Sequence, residues 1–455
     1  MRLCRGFPLV VAGLILAGCT TVVPPPSGPS SAVDQITASY QSPSDAPRIL
    51  EAIDGQLASH EQGLSGLSTP DLSTYSNLLL AAGRLADAEK SLVVLDQRRP
   101  GDRVVLLSLA LLAGARGDAA TQEVRISAME KAFPGDPDAG SLRARVFLAR
   151  GDQAGARAAW LSVLEKREDA PALSALAQLA LTAKKPQDAL LLADRAVKAA
   201  PSDDQAWALS ARILTALGRY QAAHQDLDDA LALAPDDPWH HLERGRLAWH
   251  HLYDPELAQT DLELTTLKAP GVFLGWSELA EVYEDRLKPR LAYDAWLKAL
   301  SLRPDYRPAY PSTTMLAFRF KDFAKAASFA NQAAKDYPAE YAFVFVEALS
   351  LQALGRTQAA LNVLEKARPR FVRGSSVDQM FRFLLTPGSD YYLNTALSGE
   401  KQEAIRVRLR FYQGCYYALM KSPASAKAVF EEAGASTLSN IPEIAASRDW
   451  LDHGL

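Results

Sequence analysis

Proline returns along this chain at a nearly fixed interval, and that interval constrains the fold more than any other feature. Pro100, Pro134, Pro201, Pro235, Pro270, Pro304 and Pro338 are separated by 34, 67, 34, 35, 34 and 34 residues, the 67 being one period of 33 and one of 34. A second series, Ala88, Ala156, Ala189, Ala223, Ala258, Ala292, Ala326 and Ala360, keeps the same phase. A third consists of Gly83, Gly117, Gly151, Gly218 and Gly355. Each has a physical reason. Proline stops one helix and the turn it enforces starts the next. Glycine supplies a left-handed helix end in mid-unit. Alanine five residues later lets two helix backbones approach closely. Apolar residues between these marks recur at i, i+3, i+4 and i+7, the helical period. Each unit is therefore a short helical hairpin, too small to bury its apolar face alone, and stacked units share a core. Composition agrees: the 455 residues include 77 Ala and 66 Leu, both strong helix formers.

The pattern resembles the tetratricopeptide repeat family. In the unit from Asp204 to Asp237, Trp207 fills the large aromatic slot of the first helix. Gly218 and Tyr220 mark the turn, Ala223, Leu227 and Ala230 line the second helix, and Pro235 ends it. Residues 272–305 match nearly as well, with Trp276, Leu279, Ala280, Tyr283, Ala292, Trp296, Ala299 and Pro304. The resemblance implies an all-α, right-handed α-solenoid of stacked hairpins. About nine repeats fill 69–370, after a capping helix in 46–68. Gln122 stands where the family has its small residue, and the unit 238–271 has one residue too many, which the sequence places in its Tyr253-Asp254-Pro255 turn. Phase is lost in 371–407, an irregular segment or degenerate repeat. It returns in 408–440, and 441–455 reads as a C-terminal cap.

The N-terminus is of another kind. Arg2 and Arg5 precede an uncharged apolar run from Phe7 to Ala17, and Leu16-Ala17-Gly18-Cys19 follows. This is the layout of a secretory signal, and the run is too short to span a bilayer. The last four residues resemble the lipobox of bacterial lipoproteins. That resemblance implies cleavage after residue 18, a diacylglycerol thioether on Cys19 and an acylated N-terminus. Thr20 at the next position implies the outer membrane, facing the periplasm. Residues 19–45, rich in Pro, Gly and Ser, read as a flexible tether. Of three cysteines, Cys4 leaves with the signal and Cys19 is the lipidation site, so Cys415 has no intramolecular disulfide partner. It reads as a buried small hydrophobe.

The net charge is −4 and no block of Lys or Arg occurs, which excludes the electrostatic footprint of a nucleic-acid binder. No phosphate-binding glycine loop, zinc-protease helix or nucleophile elbow is present, so no catalytic residue, cofactor or metal is expected. Trp160, Trp207, Trp276 and Trp296 sit in packing slots. The adjacent pairs His240, His241 and His250, His251 lack chelating spacing, and read as wettable aromatic edges. Asp228-Asp229 and Asp236-Asp237 suit solvated helix faces and caps. Transferring the family's inward-facing positions gives a partner-binding groove of Arg212, Trp239, Arg246, Trp249, Glu281, Glu284, Met315, Phe318, Arg319 and Phe345. The expected function is a membrane-anchored scaffold or assembly factor binding envelope proteins or peptides. The roles implied are outer-membrane assembly, pilus biogenesis, polysaccharide export or regulation of wall hydrolases. The alternative is an accessory subunit that passes small solutes to a transporter.

Overall fold

The computed structural model describes residues 46–59, 63–386, 388–439 and 441–452. Cys19, the signal sequence and the tether lie outside them. The described residues contain helices and no strand. None of these helices is long and apolar enough to cross a membrane. The chain divides into two compact units, Met1–Leu233 and Ala234–Leu455.

In the first unit α1 (Ala46–Ser59) precedes five hairpins. These pair α2 (Thr69–Ala81) with α3 (Leu85–Arg98), α4 (Arg103–Ala115) with α5 (Ala119–Ala132), and α6 (Pro137–Ala149) with α7 (Gln153–Leu164). Then come α8 (Ala170–Thr182) with α9 (Pro186–Ala199), and α10 (Asp204–Ala216) with α11 (Tyr220–Leu233). Leu50 and Ile53 of α1 are buried in one cluster with Leu72, Tyr75 and Leu79 of α2, and Tyr75 Oη donates to Asp54 at 2.6 Å. Asp102, Asp136, Asp169 and Asp203 each cap the first helix of a hairpin by accepting from backbone N–H groups. Ala88, Ala156, Ala189 and Ala223 are fully buried. At the exceptional position a Cβ on Gly114 would overlap the Gln122 amide, so the helix facing Gln122 gave up its side chain to make room.

The second unit continues with α12 (Pro238–Leu247) and α13 (Pro255–Lys268), α14 (Phe273–Asp285) and α15 (Pro289–Leu302), and α16 (Ala309–Arg319) and α17 (Phe323–Asp336). After α18 (Tyr341–Ala353) and α19 (Thr357–Ala367) come α20 (Ser376–Leu385), α21 (Asp390–Gly399), α22 (Glu403–Leu419), α23 (Pro423–Gly434) and α24 (Pro442–Asp452). The stretch where the phase was lost thus holds two further helices, α20 and α21, packed on each other. The extra residue of 238–271 is not in its turn. It is absorbed by a π-helical segment, Ala248–Leu252, which widens the end of the first helix by one residue before the turn resumes its normal spacing at Tyr253.

The glycine series proves to be one conformational position. Gly83, Gly117, Gly151, Gly218 and Gly355 have φ between 71° and 80°, and Lys184, Tyr253, Leu287, Lys321 and Lys421 occupy the same left-handed site with φ between 54° and 60°. Five repeats therefore carry a side chain where glycine is free of strain.

Candidate functional site

The groove positions expected from the repeat pattern have different surroundings. Arg212 is an exposed residue of α10 in the first unit, and Trp239 is 57% exposed near the start of α12. The remaining eight fall into three groups within the second unit.

The first group surrounds the π-helical segment. Arg246 Nε donates to Glu278 Oε1 at 2.8 Å, and His250 Nε2 lies 2.6 Å from the other oxygen of the same carboxylate. Trp249 packs against the core and hydrogen-bonds Glu281, one turn further along α14. Burial, and then the negative charge of Glu278, push the Glu281 carboxyl above its ordinary range. Only one histidine pair reaches solvent: His250 is exposed and His251 half-buried, with their rings meeting edge-on. His240 and His241 are buried, and His241 bridges Asp261 Oδ1 at 2.7 Å and the carbonyl of Pro235 at 2.9 Å.

That second contact belongs to a recurring latch. Trp207, His241, Trp276 and Tyr310 occupy equivalent positions, and each places a ring nitrogen or hydroxyl at the carbonyl of the proline six residues before it, at 2.5–3.0 Å. Trp207 and Trp276 are therefore half-buried turn latches, Trp276 also packing against the core, whereas Trp160 and Trp296 are each 3% exposed.

The second group corrects the groove expectation. Phe318 and Phe345 have no exposed surface. Phe345 packs on Phe381 of α20 and Tyr412 of α22, with ring centroids at 4.8 and 5.5 Å. Phe318 meets Phe411 of α22 and Trp450 of α24 at 6.0 and 5.6 Å. The family's inward-facing aromatics are covered here by the chain's own C-terminal helices. The sequence hid this because a solenoid's first helices normally see only their neighbours.

The third group comprises Glu284, Met315 and Arg319, which share the wall of a cavity of about 760 Å³. Three elements of the canopy above them complete it: the start of α18 (Glu340, Ala342, Phe343), Ala404 and Arg408 of α22, and the inner face of α24 with Ile441, Glu443, Ala445 and Asp449. Charge in the wall is largely paired. Arg319 bonds Asp449, and Arg408 joins Glu443 at 2.9 Å to Glu340 at 2.8 Å. Tyr412 Oη donates to Glu443 Oε1 at 2.8 Å, and burial, then the Glu443 charge, raise its hydroxyl far enough to keep it a donor. Glu284 differs. Its oxygens accept from Trp296 Nε1 at 2.5 Å and Ser312 Oγ at 3.1 Å, and burial raises its carboxyl above the ordinary range. Sequence reasoning missed Ser312, Glu340, Phe343, Arg408, Glu443 and Asp449. Ser312 and Phe343 share helices with expected groove residues, whereas Arg408, Glu443 and Asp449 lie on helices that the pattern assigned to a distant repeat and a cap. Cys415 is fully buried among these helices and burial raises its thiol well above the ordinary value, so it is an inert packing residue.

Comparison with known proteins gives a partial match. The model of the ChAPs family, the Chs5p-Arf1p-binding proteins, matches residues 113–231. No protein of curated function matches. Among solved structures, a tetratricopeptide repeat protein from Parabacteroides merdae is 15% identical and covers 54% of this chain and 97% of its own, with a TM-score of 0.39. Pseudomonas aeruginosa pilF is 17% identical over 52% of this chain and 93% of its own, with a TM-score of 0.35. MamA from Desulfovibrio magneticus is 20% identical over 38% and 96%, with a TM-score of 0.34. The helices, the caps and the shared left-handed position make the fold of this chain an all-α array of stacked tetratricopeptide-type hairpins.

Proposed function

We propose that this chain is a lipid-anchored interaction scaffold of a bacterial cell envelope, holding a segment of a partner protein in the cavity of its second unit. The anchor rests on the Leu16-Ala17-Gly18-Cys19 sequence and the Pro-rich tether after it. The observation that carries the binding role is the cavity itself. It is of ligand-pocket size, its walls mix Met315, Leu316 and Phe343 with committed ion pairs, and it opens between helices of four hairpins and the terminal helix. Helices hold most of the wall residues, which lowers the ordering cost of binding. The Chs5p-Arf1p-binding proteins matched over 113–231 are, by their description, binders of other proteins, in keeping with this reading. Within the envelope, the role is to hold one component of an assembly in place for another.

A photo-reactive residue at Met315, compared in living cells with one at the exposed Leu191 of α9, tests the reading. A discrete adduct to one protein from position 315, and none from 191, is expected. Equal adducts from both positions, or a small molecule in native mass spectra in place of a protein adduct, would overturn it. The latter result would instead favour a solute-carrying subunit.

A further inference from the structure

Among the described residues, the cavity of the second unit contains one carboxylate without a counter-charge. Arg319 is committed to Asp449, and Arg408 to Glu340 and Glu443. Glu284 faces only two neutral donors among the described residues, the Trp296 indole and the Ser312 hydroxyl. A desolvated carboxylate without a cation is costly to keep charged, so it takes up a proton unless a cation is brought to it. Glu284 is pushed towards its neutral form by burial, and the nearby Glu281 adds to the same effect. The surrounding wall can hold the stem of a long cationic side chain. Leu287 and Pro289 lie beside Glu284, and Met315, Leu316, Phe343 and Ile441 continue the apolar surface.

We propose that Glu284, aided by Ser312, is a subsite for a lysine or arginine side chain of the partner segment, with the segment's apolar neighbours seated on Met315, Phe343 and Ile441. This rests on the reading of the cavity as a docking site and adds the chemistry of the occupant. A lysine ammonium reaching Glu284 makes a charge-assisted hydrogen bond in a poorly solvated site, stronger than the same bond in water.

The indole N–H of Trp296 reports directly on Glu284, because the two are hydrogen-bonded. Full-length protein carrying ¹⁵N-labelled tryptophan is titrated with a capped peptide of sequence Ala-Leu-Lys-Leu-Ala and with its norleucine counterpart, the Trp296 resonance being assigned with Trp296→Phe. The lysine peptide is expected to shift this resonance and to bind about tenfold more tightly than the norleucine peptide. In Glu284→Gln the ratio falls to about one while norleucine-peptide binding is unchanged. Equal affinities in the unmodified protein, with both peptides shifting Trp296, would overturn the cation subsite and leave the docking site standing. Lysine preference retained in Glu284→Gln would also overturn it. If neither peptide shifts any cavity signal at about 1 mM, the docking reading fails with it. A thermal melt of Glu284→Gln confirms that the variant is folded.

Discussion

Trp450, in the last helix, donates its indole N–H to the main-chain carbonyl of Arg319 at 3.2 Å, across 131 positions of sequence. The same ring is 2% exposed and lies against Phe318, Phe411 and Phe430. A helix expected only to cover the end of an array therefore also closes over α16, four helix pairs earlier. Trp450→Ala is expected to destabilise by about 3–5 kcal/mol, as large aromatic truncations in packed cores do. Trp450→Phe should cost about 1 kcal/mol, mostly the lost hydrogen bond. Urea unfolding of the two variants checks the contrast; equal losses would place the anchoring elsewhere.

Leu287 holds a left-handed backbone, φ 54°, with its side chain 86% exposed, so it pays strain for almost no packing. Leu287→Gly is expected to raise stability by about 1 kcal/mol despite the greater freedom glycine gives the unfolded chain. A lower melting temperature would mean that the side chain contributes contacts this geometry does not show.

Helices α22 and α23 meet at Gly414, where an added Cβ would sit 2.7 Å from Phe430 Cε1. Gly414→Leu, and Ala223→Leu or Ala292→Leu at the buried repeat position, are expected to destabilise by about 1–3 kcal/mol through overpacking. Unchanged melting curves would show that these helix pairs can separate without loss.

Carboxyls of two kinds predict opposite responses to pH. Burial raises Glu284 and Glu347 in the folded protein, so the stability they give is complete below the unfolded carboxyl value and is lost as pH rises through the folded value. Asp378 is lowered, first by its bond to Arg368, so its contribution is present at neutral pH and is lost as pH falls through its folded value. Glu284→Gln should therefore melt higher than the unmodified protein at pH 7 and equally at about pH 4. Asp378→Asn should melt lower at pH 7 and converge in acid. A pH-independent difference in either case refutes the assignment.

Cys19→Ala is expected to move the protein from the membrane fraction to the soluble fraction, because the Phe7 to Ala17 run is too short to anchor it as a helix. Retention at the membrane after this substitution would mean that another segment provides the anchor.

The sequence by itself determined the repeating hairpin, since periodic proline, glycine and alanine act through local backbone geometry and contacts within one unit or with the next. It showed half of the left-handed series; Lys184, Tyr253, Leu287, Lys321 and Lys421 were hidden because neighbouring structure can force that conformation on residues that disfavour it. The π-helical segment was legible as one extra residue but not in its place, because a helix can absorb an insertion as readily as a turn can. Of the residues read as groove from their repeat positions, Glu284, Met315 and Arg319 line the cavity of the second unit, whereas Phe318 and Phe345 are fully buried. A repeat position states which way a side chain faces within its own hairpin. Only the tertiary structure decides what else arrives there, and here α20, α22 and α24 cover the aromatics while leaving Glu284 in an open cavity. That outcome depends on contacts between residues more than a hundred positions apart, such as Trp450 with Arg319, which no local pattern encodes.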